Sequence, residues 1–140
     1  MAELRIELPS VTAVLAPADL CDGLAAADDV VVLRVAPREV LLVGPVDVSP
    51  LRGLVGESGL VEEVSDAWVG LVLEGDDAPE AFARISELEV PQLGWTQGEV
   101  ARVAAKVLVE PGRIAVLVPA MLAAHVEERV RAEAAEVLAS

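Results

Sequence analysis

The stretch Ala67 to Glu89, AWVGLVLEGDDAPEAFARISELE, constrains the chain most, because an apolar run, a glycine and an amphipathic pattern follow one another in it. Trp68 to Leu73 reads as a strand, with Trp68, Gly70 and Val72 facing one side and Val69, Leu71 and Leu73 the other. Gly75 turns the chain. Ala78, Ala81, Phe82, Ile85 and Leu88 then recur at helical spacing and predict one helix with a single buried stripe. Asp77 and Glu80 have the spacing of a capping box, and Pro79 falls in the first turn, where its missing N–H is tolerated.

Taken from its start, the chain offers Met1 to Leu8 as an edge strand or extended arm with Leu4, Ile6 and Leu8 on one side, stopped by Pro9. Val11 to Leu15 continues as a strand, and Ala18 to Ala27 predicts a short helix turning Leu20, Cys21 and Leu24 inward, weakened by Gly23. Val30 to Val35 and Val40 to Val43 form a hairpin about Ala36-Pro37-Arg38-Glu39. Asp47 or Ser49 caps a helix through Leu51, Leu54 and Val55 that leaves by Gly56 to Gly59, and Val61 to Ser65 alternates apolar and polar residues. Pro91 to Gln97 reads as a loop carrying Trp95, Glu99 to Val109 as one long strand, and Glu110-Pro111-Gly112-Arg113 as the turn back to Ile114 to Val118. Met121 to Leu138 predicts the longest helix, striped by Leu122, Val126, Val130 and Val137, with Glu133 left near the stripe and no partner to explain it.

Two segments echo two others. Val14 onward (VLAPADLCDGLAA) aligns with Val72 onward (VLEGDDAPEAFAR), and Ala36 onward (APREVLLVGP) with Glu110 onward (EPGRIAVLVP), so the order β-α-β-β-α occurs twice. The competing account is chance similarity between Val- and Ala-rich segments. The repeat predicts a single α+β domain over residues 1–140, with copies at about 11–59 and 61–138. These are two ferredoxin-like half-units about a pseudo-twofold, their antiparallel sheets covered by helices. Hydrophobic residues make up 54% with one Phe, two Trp and no Tyr, so the core is aliphatic.

Ten Lys and Arg face 24 Asp and Glu, a formal charge of -14, which repels a phosphate backbone and anionic lipid alike. No apolar run approaches the roughly 20 residues of a membrane span, and MAELRIELPS lacks the long apolar core of a secretory signal. The expectation is a cytoplasmic protein without nucleic-acid or membrane partners.

No reaction can be assembled from these residues. One cysteine, Cys21, allows no internal disulfide and no zinc spacing, and it sits where a small hydrophobe would. The one histidine, His125, has no neighbouring nucleophile in the sequence. Asp28-Asp29 and Asp76-Asp77 could hold a hard cation only with further oxygen ligands, and turn and capping roles explain both. The expectation is therefore no catalytic, cofactor-binding or metal-binding residue, with Trp68, Trp95 and Glu133 as candidates for a partner interface.

Four motifs point to a family. Pro37 to Pro45 is similar to a "PDEWLLVGP" hairpin, and Val64-Ser65-Asp66-Ala67-Trp68 through Leu71, Leu73, Gly75, Asp77 and Ala78 to "VSDGW...L.L.GPDA". Ile85 to Val90 is similar to "LCPLDL", and Val118 to Val126 to "V.RSFAAYL". Together they resemble the gamma subunit family of heterotetrameric sarcosine oxidase, itself similar to the folate-binding T-protein of glycine cleavage. The chain is a divergent, short member on this reading, with Val40 for a usual Trp, Ser86 for a usual Cys and Ala120-Met121 for Arg-Ser.

The resemblance implies a folate-binding-domain-like fold and an accessory subunit without a cofactor of its own. That subunit docks near the folate domain of a large subunit, in a complex that oxidises an N-methyl amine with FAD, FMN, NAD and tetrahydrofolate. The T-protein's catalytic aspartate has no counterpart, since the hairpin from Val107 to Val118 offers Glu110 and Arg113. A stand-alone folate or one-carbon protein with Trp68 stacked on a pterin, and a ligand-free structural homodimer, are the alternatives.

Overall fold

The computed structural model describes residues 1–25 and 27–139. In chain order the first half carries β1 (Glu3–Glu7), β2 (Val11–Leu15), α1 (Ala18–Asp22), β3 (Val31–Ala36), β4 (Glu39–Val43), α2 (Val48–Val55) and β5 (Leu60–Glu63). There follow β6 (Trp68–Glu74), α3 (Ala78–Ala83), β7 (Gly94–Val100), β8 (Val103–Glu110), β9 (Arg113–Pro119) and α4 (Ala123–Glu133). Two compact units result, Pro9–Ser65 on the one hand and Met1–Leu8 with Asp66–Ser140 on the other. No helix among the described residues is long and apolar enough to cross a membrane.

The unit Pro9–Ser65 is a four-stranded antiparallel sheet in the order β3-β4-β2-β5, reached by a β-α-β-β-α-β path of ferredoxin type. Val14, Val40, Leu42 and Val61 on one sheet face pack against Cys21 of α1 and Val55 of α2, with Leu20, Val48 and Leu51 at the margin. Alternation within each strand supplies that face, and helical spacing supplies the covering stripe. Helix α1 stops at Asp22, shorter than its sequence predicts, because Gly23 takes the C-cap position there. Ala26 of the predicted helix lies outside the described residues. Asp47 caps α2 by accepting from the Ser49 N–H at 3.1 Å.

The other unit is a five-stranded antiparallel sheet in the order β1-β6-β9-β8-β7. Leu71, Leu73, Val107, Val116 and Val118 face Phe82 and Ala81 of α3 and Val126 and Val130 of α4. Here β6, β9 and β8 take the places that β2, β4 and β3 take in their own sheet, and β1 lies beside β6 as β5 lies beside β2. The expected α+β class, antiparallel sheets under helices, is thus the observed one.

Four expectations in this unit are corrected. Glu99 to Val109 is not one strand: β7 and β8 form a hairpin about Ala101-Arg102, both with positive φ (48° and 69°), and Trp95 stands on β7, not in a loop. That is the backbone of a type I′ turn, built here without the Asn-Gly that usually announces it. Helix α3 ends at Ala83, not near Leu88, because the Ile85 carbonyl turns to accept from the Ala101 N–H at 2.7 Å; Ile85 and Leu88 still pack on the core.

Helix α4, in turn, ends at Glu133, not Leu138. Ala2 donates to the Val137 carbonyl at 2.9 Å and accepts from Ala139 at 2.7 Å, so Val137 and Leu138 reach the core from a tail laid against the chain's start. A fourth correction concerns the capping box. Asp77 makes no side-chain bond to the helix, its carboxylate lying 3.2 Å from the N-terminal ammonium that β1 brings alongside.

Candidate functional site

The sheet face opposite α3 and α4 carries both tryptophans. Trp68 starts β6 opposite Pro119, and Trp95 lies on β7 opposite Leu108, each half-buried. Strands β9 and β8 run between them, so the rings sit about 14 Å apart across the sheet before any offset along it. Glu133 is elsewhere, on α4, which covers the other face. Its carboxylate accepts from Arg129 Nη2 at 2.7 Å, the i, i+4 partner that its position beside the stripe lacked in the sequence reading. The three interface candidates therefore do not converge.

What Glu133 and Arg129 do border is a cleft of about 650 Å³, shared with Arg84, Arg102, Ser86 and Glu99. Arg84 is held by Glu80 at 3.4 Å and Glu136 at 3.3 Å, whereas Arg102, on its positive-φ turn, makes no ion pair among the described residues. Arg129 Nε is buried without an acceptor there. Ser86, at the usual Cys position, accepts from the Leu88 N–H at 3.0 Å and donates to the Glu99 carbonyl at 2.7 Å, so its hydroxyl is structural. The cleft balances arginines against glutamates and suits a polar partner surface; no histidine or cysteine lines it. Sequence reasoning missed it because its arginines come from three separated segments that only the fold gathers.

The remaining chemistry candidates stay apart. Asp76 borders a second cleft, of about 440 Å³, with Glu110 and Arg113. Arg113 lies 3.7 Å from Glu110 and pairs more closely with Glu7 on β1, so one arginine is shared between two glutamates there. Cys21 is buried and its thiol faces the Ala16 carbonyl at 3.6 Å, while His125 is exposed on α4. Among the described residues no group of three or more His, Cys, Asp or Glu could hold a metal.

The open edge of β7 is the other feature of this site. In a two-residue hairpin Val100 and Val103 exchange hydrogen bonds, and the exchange recurs at every second residue, at Gly98 and Thr96. Trp95, Gln97 and Glu99 therefore aim their backbone N–H and C=O groups outward. Ser86 occupies the Glu99 carbonyl, but nothing among the described residues bonds the outward groups of Trp95 and Gln97.

No family model matches the chain, and no curated protein matches it. Among solved structures, it is similar to the regulatory subunit of aspartate kinase from Thermus thermophilus, in its ligand-free form, at 13% identity over 93% of this chain and 95% of that one, with a TM-score of 0.49. It is far more similar to a chain of the heterotetrameric sarcosine oxidase from Corynebacterium sp. U-96, solved in complex with pyrrole 2-carboxylate. There the TM-score is 0.81, at 20% identity over 99% of this chain and 86% of that one. The family resemblance read from the hairpin and VSDAW motifs thus meets a structural likeness over nearly the whole chain, and the fold is that of a sarcosine oxidase chain of comparable length.

Proposed function

We propose that this chain is a non-catalytic, gamma-like accessory subunit of a heteromeric sarcosine oxidase-type N-methyl amine oxidase, docked on the large subunit near its folate domain. The observation that carries the reading is the match over 99% of the chain to a sarcosine oxidase chain at a TM-score of 0.81. The motif residues support it by being framework, not chemistry. Val40 and Leu42 of the hairpin motif fill a core, and Ser65 of VSDAW accepts from the Val11 N–H at 2.9 Å. In this reading FAD, FMN, NAD and tetrahydrofolate belong to the other subunits, the chain works in the cytoplasm, and its acidity of -14 suits a basic partner face.

The stand-alone folate binder has less support. Trp68 and the Asp76-Asp77 pair stand at opposite ends of β6, whose strand rise spans about 20 Å, too far to grip one pterin together. Co-expression with the flavin-bearing subunits of the same source tests the proposal. A complex that elutes with flavin absorbance and holds this chain in fixed ratio is expected, with no sarcosine oxidation by the chain alone. A stable isolated monomer that never joins a flavoprotein would contradict it.

A further inference from the structure

We propose that the open edge of β7 at Trp95 to Gln97 is the docking line for an extended segment of another subunit, which adds a sixth strand to the five-stranded sheet. This inference rests on the accessory-subunit reading and names the surface that would make the contact.

The two sheets have four edge strands, and three are defended. Strand β1 presents Glu3, Arg5 and Glu7. Strand β5 is only four residues long, presents Glu62 and Glu63, and has Arg52 reaching over to the Val61 carbonyl at 3.4 Å. Strand β3 carries a register shift between Arg34 and Ala36, and the Arg34 guanidinium bonds Asp22 at 2.6 Å and Ala36 at 3.0 Å. Charge, brevity and bulges are the usual means of keeping an edge from pairing with another chain.

From Gly94 to Gly98 the seven-residue β7 has neither charge, proline nor bulge. Its neighbouring segment protects only the far end, through Ser86 at Glu99 and Ile85 at Ala101. Two successive sets of outward amide and carbonyl groups remain, at the spacing that only an extended backbone matches.

The occupant follows from charge. A second copy would bring another -14 to a chain already at -14, so a strand from a different chain of net basic charge is favoured, while the edge itself carries both signs, in Glu99 and in Lys106, which bonds the Gln97 side chain at 2.7 Å. Across from Trp95, whose ring lies on the face away from the helices, that strand would place an apolar side chain.

The test uses the full chain in complex with the flavin-bearing subunits of the same source. Hydrogen exchange of the Trp95 and Gln97 amides is expected to slow by about tenfold or more on assembly, while the outward amides of β5 stay as they were. Gln97→Pro removes one outward N–H at an edge position where proline is tolerated, and is expected to weaken assembly by about tenfold. Gln97→Ala keeps the amide and is expected to assemble normally.

Assembly without protection at Trp95 and Gln97 would overturn the edge assignment and leave the accessory-subunit reading standing. Failure to assemble at all would overturn both. Protection already present in the isolated chain, rising with its concentration, would identify a second copy as the occupant and overturn the proposal.

Discussion

Asp47 and Asp77 occupy similar places in the sequence, one before each of two short helices, and do different work. Asp47 bonds the Ser49 N–H, so Asp47→Ala is expected to cost about 1 kcal/mol in denaturant melts. The Asp77 carboxylate pairs, among the described residues, with the exposed N-terminal ammonium, and Asp77→Ala is expected to cost less than about 0.5 kcal/mol in the same melts. Equal costs would restore the capping box. Arg102 offers a test of opposite sign. Its φ of 69° strains any residue with a Cβ and its side chain is exposed, so Arg102→Gly is expected to stabilise the chain by roughly 1 kcal/mol. Calorimetry would read this as a melting temperature higher by about 3 °C. Phe82, buried to 3% exposure as the chain's one phenylalanine, belongs to the other extreme, and Phe82→Ala is expected to cost about 3–5 kcal/mol.

At the scale of elements, the sequence was legible where local and tertiary preferences agree. The β3–β4 hairpin, the strand β6 and the helix α2 lie within a residue or two of their expected places because β-branched runs, a Pro-containing turn and an aspartate cap all point the same way. It was illegible where tertiary pairing overrode pattern. Nothing in Ala134-Ala135-Glu136 stops a helix, yet α4 stops there so that the tail can bond Ala2. The β7–β8 turn hid because Ala-Arg carries no turn signal, which concealed the edge strand with it.

The override of α4 is testable by truncation after Ala134. This removes the burial of Val137 and Leu138, and melts should show a loss on the order of 3–5 kcal/mol. A frayed helix end of the predicted kind would lose far less. The candidate site was least legible of all: Trp95 and Glu133 were named, but not the strand edge or the arginine-lined cleft, since both are made by segments distant in sequence.

For the whole molecule, the residues that carry the family resemblance turn out to build hairpins and cores, and the polar groups left over are distributed among ion pairs and turns. The chain has the fold of a sarcosine oxidase chain, and the role proposed for it is in assembly. That claim meets its most direct test in size-exclusion chromatography of the chain co-expressed with the flavin-bearing subunits of its own source, read at once by flavin absorbance and by gel. The account predicts one flavin-coloured species that contains this chain in fixed ratio and oxidises sarcosine. A colourless, well-behaved monomer eluting apart from an intact flavoprotein would contradict it.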